Sequence, residues 1–285
     1  MTTKNRNFFS EKPWFIGLTL ACLIAGGLLI TSFTIGGENS RLCSLTLVKP
    51  VEDYDPTPVQ LQAIVHYATS KITPQQSLGE VNVSFEVLKS RSPCNFLVFG
   101  LGFDSLMWNS LNPRGTTLFL EEDPKWVQTV LQTAPMLRAH TVKYRTQLRE
   151  ADNLLRSWRS VAECSPSDAV LRGNTACKLA LDNLPDEIYE REWDLIMIDA
   201  PRGYFPEAPG RMAAIFSAAV MARNRRGSGV THVFLHDVDR KVEKTFAREF
   251  LCRKYLVKAV GRLWHFEIPS AANVSQSGGN LANFC

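Results

Sequence analysis

From Asn95 onward, short apolar runs alternate with amphipathic ones, and this alternation leaves few folds open. NFLVFG, TTLFLE, HTVKY, WDLIMIDA and THVFLHD have the length and β-branched or aromatic content of buried strands. Between them, DSLMWNSL, DPKWVQTVLQTA, READNLLRSWRS and RMAAIFSAAVMARN carry helical spacing, and VEKTFAREFL follows the fifth strand. Asp123 is placed to cap the second of these helices, with Pro124 at its first position. Strands alternating with helices predict an α/β fold with a mostly parallel sheet covered on both faces. YLVKAVGRLWHFEIP, split by Gly261, predicts a terminal antiparallel hairpin. No internal repeat is visible.

Upstream, the chain is uncharged from Trp14 to Ile35, long enough to cross a bilayer as one helix. The run exceeds the ~7–15 residue core of a cleaved signal and lacks a clean A-x-A site, so a retained anchor is expected. Lys4, Arg6 and Lys12 outnumber Glu11 before it, which keeps residues 1–13 cytosolic and places everything after the span in a lumen. Residues 36–58 mix Gly, Pro and charge as a stem. Two preliminary helices follow, VQLQAIVHYATSKI and, after Thr73-Pro74 as cap and first-turn proline, QQSLGEVNVSFEVLKS; His66 in the first is assigned to packing or surface. The folded domain is expected over 59–270, with a tail at 271–285. Cys22 lies in the span, whereas Cys43, Cys94, Cys164, Cys177, Cys252 and Cys285 lie beyond it; without zinc-site spacing they predict disulfides, Cys164–Cys177 first. Asn82 and Asn273 open glycosylation sequons. The net charge of +4 gives no reason to expect a nucleic-acid partner, while an acidic substrate fits it.

Chemistry concentrates at predicted strand ends, where open α/β sheets bind ligands. Gly100 and Gly102 in FGLGFDS let a ligand approach the backbone, and free amides there would receive its polar groups; Asp104 either caps the following helix or faces that ligand. Glu121, about 20 residues beyond the glycines, is placed to hold a ribose. An incomplete GxGxxG argues against a nicotinamide oxidoreductase, and the terminal hairpin favours a Rossmann-like fold dependent on S-adenosylmethionine. Val98 and Asp104 occupy places where such loops often carry an acid and a third glycine. Asp199 and Asp237 end two further strands, each able to accept a proton, orient a hydroxyl or bind a divalent cation unless it caps a turn; the proton is assigned to Asp237 or adjacent His236, and a hydroxyl or metal contact to Asp199. Between them, Arg202, Tyr204, Glu207 and Arg211 lie on a Pro/Gly-rich segment suited to a substrate lid, its guanidiniums matching a uronate carboxylate.

The blocks SPCNFLVFGLGFDSLMW, TLFLEED, WDLIMIDAPRGYFPEAPGRMAAIF, FLHDV and FLCRKY resemble the plant glucuronic acid 4-O-methyltransferases over about residues 59–269. The resemblance implies a Golgi type II membrane protein that transfers a methyl group from S-adenosylmethionine to O4 of glucuronic acid on cell-wall polysaccharides. KPWFIGL, LRGNTACKLAL and GRLWHFEIP look more like the arabinogalactan branch than the glucuronoxylan branch. That family also holds xylan-deposition relatives, so a noncatalytic scaffold for polysaccharide synthases stands as the alternative.

Overall fold

The computed structural model describes residues 57–72, 75–166, 170–271, 273 and 284–285. The expected segments 1–13 and 14–35 and the stem up to residue 56, together with Cys22, Cys43 and the Thr73-Pro74 cap, lie outside them, and the last two residues expected in the stem instead open the first helix; among the described residues no helix is long and apolar enough to cross a membrane.

Seven strands form one sheet: β1 (Asn95–Phe99), β2 (Thr116–Glu121), β3 (Arg138–Thr141), β4 (Leu195–Ile198), β5 (Val230–Leu235), β6 (Leu256–Val260) and β7 (Leu263–Pro269). Their order is β3-β2-β1-β4-β5-β7-β6. The first five pair in parallel, and β7 runs antiparallel to both β5 and β6. The order reverses between β1 and β4, which opens a crevice at their C-terminal ends.

Strand periodicity sorts the core into two layers. Leu97, Phe99, Ile196, Ile198, Val233 and Leu235 face one layer, while Phe96, Val98, Leu195, Met197 and Phe234 face the other. Both faces of each central strand are thus buried, which explains their nearly unbroken apolar runs. The second layer is covered by α1 (Thr57–Thr69), α2 (Leu78–Arg91), α3 (Ser105–Ser110) and α4 (Pro124–Thr133). The first is covered by α5 (Ala151–Ser157), α6 (Asp186–Glu190), α7 (Met212–Arg223) and α8 (Lys241–Phe246). Helix α7 is buried almost all round, which its alanines permit by close approach and its apolar composition rewards.

Several local expectations need correction. Helix α2 starts later than expected: Ser77 is its N-cap, in a reciprocal capping box with Glu80. Asp104 occupies the cap position of α3 but makes no capping bond; its carboxylate instead accepts from Trp108 Nε1 at 2.7 Å. Strand β3 is shifted from HTVKY: it begins two residues earlier, where Arg138 pairs with Leu118, and stops at Thr141, which pairs with Glu121 at the end of β2. The helix expected over 242–251 changes at Ala247 into a π-helical turn ending at Cys252. Helix α6 was not anticipated, being only five residues long. Asp123 does cap α4, accepting from the amides of Lys125 and Trp126.

The expected Cys164–Cys177 disulfide is present, and a second joins Cys252 to Cys285. Cys94 is a buried free thiol, pushed up to about 12 by burial. The second bridge ties the chain end to the π-helical turn, and neighbouring Phe284 packs its ring 5.2 Å from Phe250, 5.5 Å from Phe216 and 5.7 Å from Trp158. Phe284→Ala should therefore cost about 3 kcal/mol or more. The thermal midpoint should fall by roughly 6–12 °C in calorimetry, whereas a shift under 2 °C would show that this ring cluster is dispensable.

Candidate active site

The C-terminal ends of β1, β2, β4 and β5 open into two adjoining cavities of about 500 and 400 Å³. The larger, mainly apolar one is bounded by Tyr67, Gln76, Val98, Gly100, Leu101, Asp104, Met107 and Met197, among others. The smaller is bounded by Glu122, Trp126, Arg202, Tyr204, Arg211, Asp237 and Arg240, among others. Gln75, Glu121, Asp199 and Ala200 line both, so Asp199 stands where the two meet.

The glycine turn provides close approach. Gly100 has φ +127°, and a Cβ there would sit 3.4 Å from the Ala200 side chain; at Gly102 the nearest atom to such a Cβ is 3.8 Å away. The expected free amides at these positions are absent: Gly100 N–H donates to Leu120 O, Leu101 N–H to Glu121 and Gly102 N–H to Ser105 Oγ. Glu121 also accepts from the amides of Glu122 and Asp123, so it braces the turn as well as lining the cavities. Burial pushes the Glu121 carboxyl above its ordinary value, and does the same at Asp104 despite the Trp108 bond. Tyr67 ties α1 to this turn, donating to Phe103 O at 2.7 Å and accepting from Met107 N–H at 3.0 Å. Apolar walls rimmed by the carboxylates of Asp104, Glu121 and Asp199 fit a cationic cofactor that carries ribose hydroxyls, as S-adenosylmethionine does.

Arg211 organises the strand ends. Its guanidinium is buried; it donates to His236 O at 2.8 Å and to Asp199 O, and pairs with Asp199 Oδ1 at 3.2 Å and Asp237 Oδ2 at 2.8 Å. So committed, it is a structural clamp rather than the open carboxylate receptor expected from sequence. Asp237 has φ +59° and two further guanidiniums, Arg240 at 3.0 Å and Arg262 at 2.7 Å. His236 is almost fully buried and lines neither cavity. Its Nδ1 contacts Asp199 Oδ1 at 3.0 Å, and its Nε2 lies 3.8 Å from Glu80 Oε1 without a hydrogen bond among the described residues. Of the three strand-end candidates, Asp199 is therefore the one open to both cavities.

Burial works to raise the Asp199 carboxyl, but the His236 hydrogen bond, the Arg211 charge and Gln76 outweigh it and hold it below the ordinary carboxylate value. Asp199, His236 and Asp237 do place ligand atoms within 4.8 Å of one another. Their lone pairs are nevertheless engaged by Arg211, Arg240, Arg262 and the imidazole, so this donor set as arranged does not fit a divalent cation.

On the outer wall, half-exposed Arg202 pairs with Glu122 at 2.8 Å, and Tyr204 is well exposed. Glu207 lines neither cavity and instead faces Arg149 at 3.7 Å on the surface. Sequence reasoning missed Gln75, Gln76, Trp126 and Arg240, which line the cavities from segments without a motif, and Arg262, which reaches Asp237 from the hairpin turn.

A parallel sheet with an antiparallel seventh strand, a glycine turn after β1 and an acid closing β2 define an α/β methyltransferase fold. The chain belongs to the family described as IRX15/IRX15L/GXM, whose model matches residues 79–266. Arabinogalactan O-methyltransferase 1 of Arabidopsis thaliana is 62% identical, over 97% of this chain and 98% of the relative. Arabinogalactan O-methyltransferase 2 of the same plant is 61% identical, over 96% and 95%. Glucuronoxylan 4-O-methyltransferase 1 of that plant is 52% identical, over 79% and 78%.

Removing the clamp should cost stability: Arg211→Ala strips a buried guanidinium from Asp199 and Asp237 and leaves the Asp199 and His236 carbonyl oxygens without their donor, at about 3 kcal/mol, the low end for a broken buried pair because Arg240, Arg262 and His236 remain. The pH dependence has a definite sign. The folded pKa of Asp199 lies below its unfolded value, so its contribution is fully present at neutral pH and is lost as pH falls from about 4 through the folded pKa. Urea titrations across pH should show a flatter acid limb in Asp199→Asn than in wild type; superimposable limbs would contradict the assignment.

Proposed function

We propose that this protein is an S-adenosylmethionine-dependent O-methyltransferase acting on O4 of glucuronic acid in cell-wall polysaccharides, with arabinogalactan favoured over glucuronoxylan as acceptor. The reading is carried by Asp199 at the junction of an apolar cavity and an arginine-bearing one, in a chain about three-fifths identical to arabinogalactan O-methyltransferases. S-adenosylmethionine, when bound, supplies an electrophilic methyl group on a sulfonium sulfur. Gly100 and Gly102 admit it close to the backbone, Glu121 accepts from ribose hydroxyls, and Asp104 offers negative charge to its cationic part.

The acceptor sugar occupies the smaller cavity, where Tyr204 offers a ring face and Arg202 and Arg240 offer partly exposed guanidiniums to the uronate. Positioning supplies much of the rate enhancement, since acceptor oxygen, methyl carbon and leaving sulfur must be in line. Asp199 orients the acceptor hydroxyl and takes its proton late, as the new C–O bond forms. A depressed carboxylate pKa suffices for this, because an alkylated hydroxyl is a far stronger acid than the free alcohol. His236 and Arg211 fix the Asp199 carboxylate from behind, and Asp237 completes the clamp. No step is assigned to a divalent cation.

The span at 14–35 is proposed as a Golgi signal-anchor that holds the catalytic domain in the lumen. Two cysteine pairs in the domain accord with an oxidising compartment. A C-terminal tag should resist protease in sealed Golgi vesicles; its cleavage without detergent would refute this topology.

Asp199→Asn should lower methyl transfer to a glucuronic-acid-bearing arabinogalactan oligosaccharide by about 10²-fold. Its affinity for S-adenosylmethionine in calorimetry should change little, whereas Gly102→Asp should abolish that affinity. Near-normal turnover in Asp199→Asn would remove Asp199 from the chemistry. Preferential turnover of glucuronoxylan oligosaccharides would reassign the acceptor.

A further inference from the structure

At the opposite end of β5 from Asp237, three side chains converge that the methyl-transfer site does not use. His232 pairs across the sheet with Glu267, and His265 lies two residues before Glu267 on β7, so the strand period puts all three on one face. His232 Nδ1 is 3.0 Å from His265 Nε2 and 3.8 Å from Glu267 Oε1. One candidate ligand atom from each lies within 4.8 Å of the others. The two imidazoles are almost fully buried, while Glu267 is about half open to solvent. Asp237 lies five positions on from His232, beyond the end of β5 at Leu235, so the two clusters are separated by up to about 16 Å.

We propose that His232, His265 and Glu267 bind a borderline divalent transition-metal ion, Zn²⁺ foremost, which staples the terminal hairpin to the parallel sheet. Tetrahedral zinc with bonds of about 2.05 Å to nitrogen sets its ligand atoms ~3.3 Å apart. The facing nitrogens are already within a few tenths of an ångström of that spacing, and the ring centroids stand 5.2 Å apart. Phe234 stacks on His265 at 4.5 Å and holds its ring in place. Glu267 needs only a side-chain adjustment, and its exposed side leaves the fourth position to water.

The chemistry of the donors suits this ion. Both imidazoles are buried and face each other through their ring nitrogens, with the carboxylate of Glu267 beside them. An imidazole ligates metal through a ring nitrogen that carries no proton. Without metal the two nitrogens share one proton, and His232 Nε2 is buried with no partner among the described residues. Binding moves that proton to the far nitrogen of its own ring, a tautomer shift with no net proton release. Two imidazoles and one carboxylate favour zinc or cobalt over magnesium or calcium, which prefer all-oxygen sets. The ion would join β5 to β7, the pair through which the antiparallel hairpin is attached.

The full-length protein, stripped with a chelator and dialysed, should bind one equivalent of Co²⁺ with the intense visible absorption of a four-coordinate site. Zn²⁺ should displace it and raise the thermal midpoint by several degrees, reversibly on chelation. Glu267→Gln, at a half-exposed position, should fold and keep methyl transfer while its metal affinity falls tenfold or more. His265→Gln should lose the absorption, and Asp199→Asn should keep it. The proposal does not rest on the methyltransferase reading and is overturned by any of three results: wild type without absorption or thermal response, Glu267→Gln binding as wild type does, or loss of the absorption in Asp199→Asn.

Discussion

The Arg211 guanidinium is the contact on which the cleft depends. Two strands, β4 and β5, end side by side and each is followed by a carboxylate, Asp199 and Asp237, that burial would destabilise if left alone. One buried cation satisfies both, and also takes the carbonyl oxygens of Asp199 and His236 that the end of the sheet leaves unpaired. In such surroundings a broken pair costs far more than an exposed ion pair contributes, so the two strand ends are held in one geometry. Asp237, with φ +59° and three guanidinium partners, is held there against its own backbone preference.

From that clamp the rest of the cleft follows. Fixing Asp199 from behind through Arg211 and His236 leaves its front at the meeting point of the two cavities. The helices before the first strand complete the enclosure: Gln76 Nε2 donates to Asp199 Oδ2 at 3.2 Å, and Tyr67 grips the glycine turn. Glu80, buried at the start of α2, accepts Arg262 N–H at 2.6 Å from the hairpin turn, while Arg262 itself donates to Gln75 O. Burial works to raise the Glu80 carboxyl, but hydrogen bonds from Ser77 and Arg262 hold it below its ordinary value. Segments nearly 190 residues apart in sequence thus share one polar network beside the larger cavity.

The parallel sheet, its two covered faces and the strand-end positions of Gly100, Glu121, Asp199 and Asp237 were legible in the residue pattern. The reason is periodicity: a strand buried on both faces must be apolar throughout, so the first polar residue after it marks the crevice. The sequence also carried the long ordered blocks that place the chain beside the glucuronic acid methyltransferases. What each polar residue does was decided only by tertiary structure, because that depends on which partners arrive from elsewhere. Arg211 and Arg202 look equivalent nine residues apart, yet one is consumed by two carboxylates and the other stays half exposed. Asp104 sits at a helix start but gives its carboxylate to Trp108, and Cys252, the last residue of a π-helical turn, is joined to Cys285, 33 residues on. Gln76, Arg240 and Arg262 carry no local signal at all, since nothing in a one-dimensional pattern says which distant side chain a buried carboxylate will recruit.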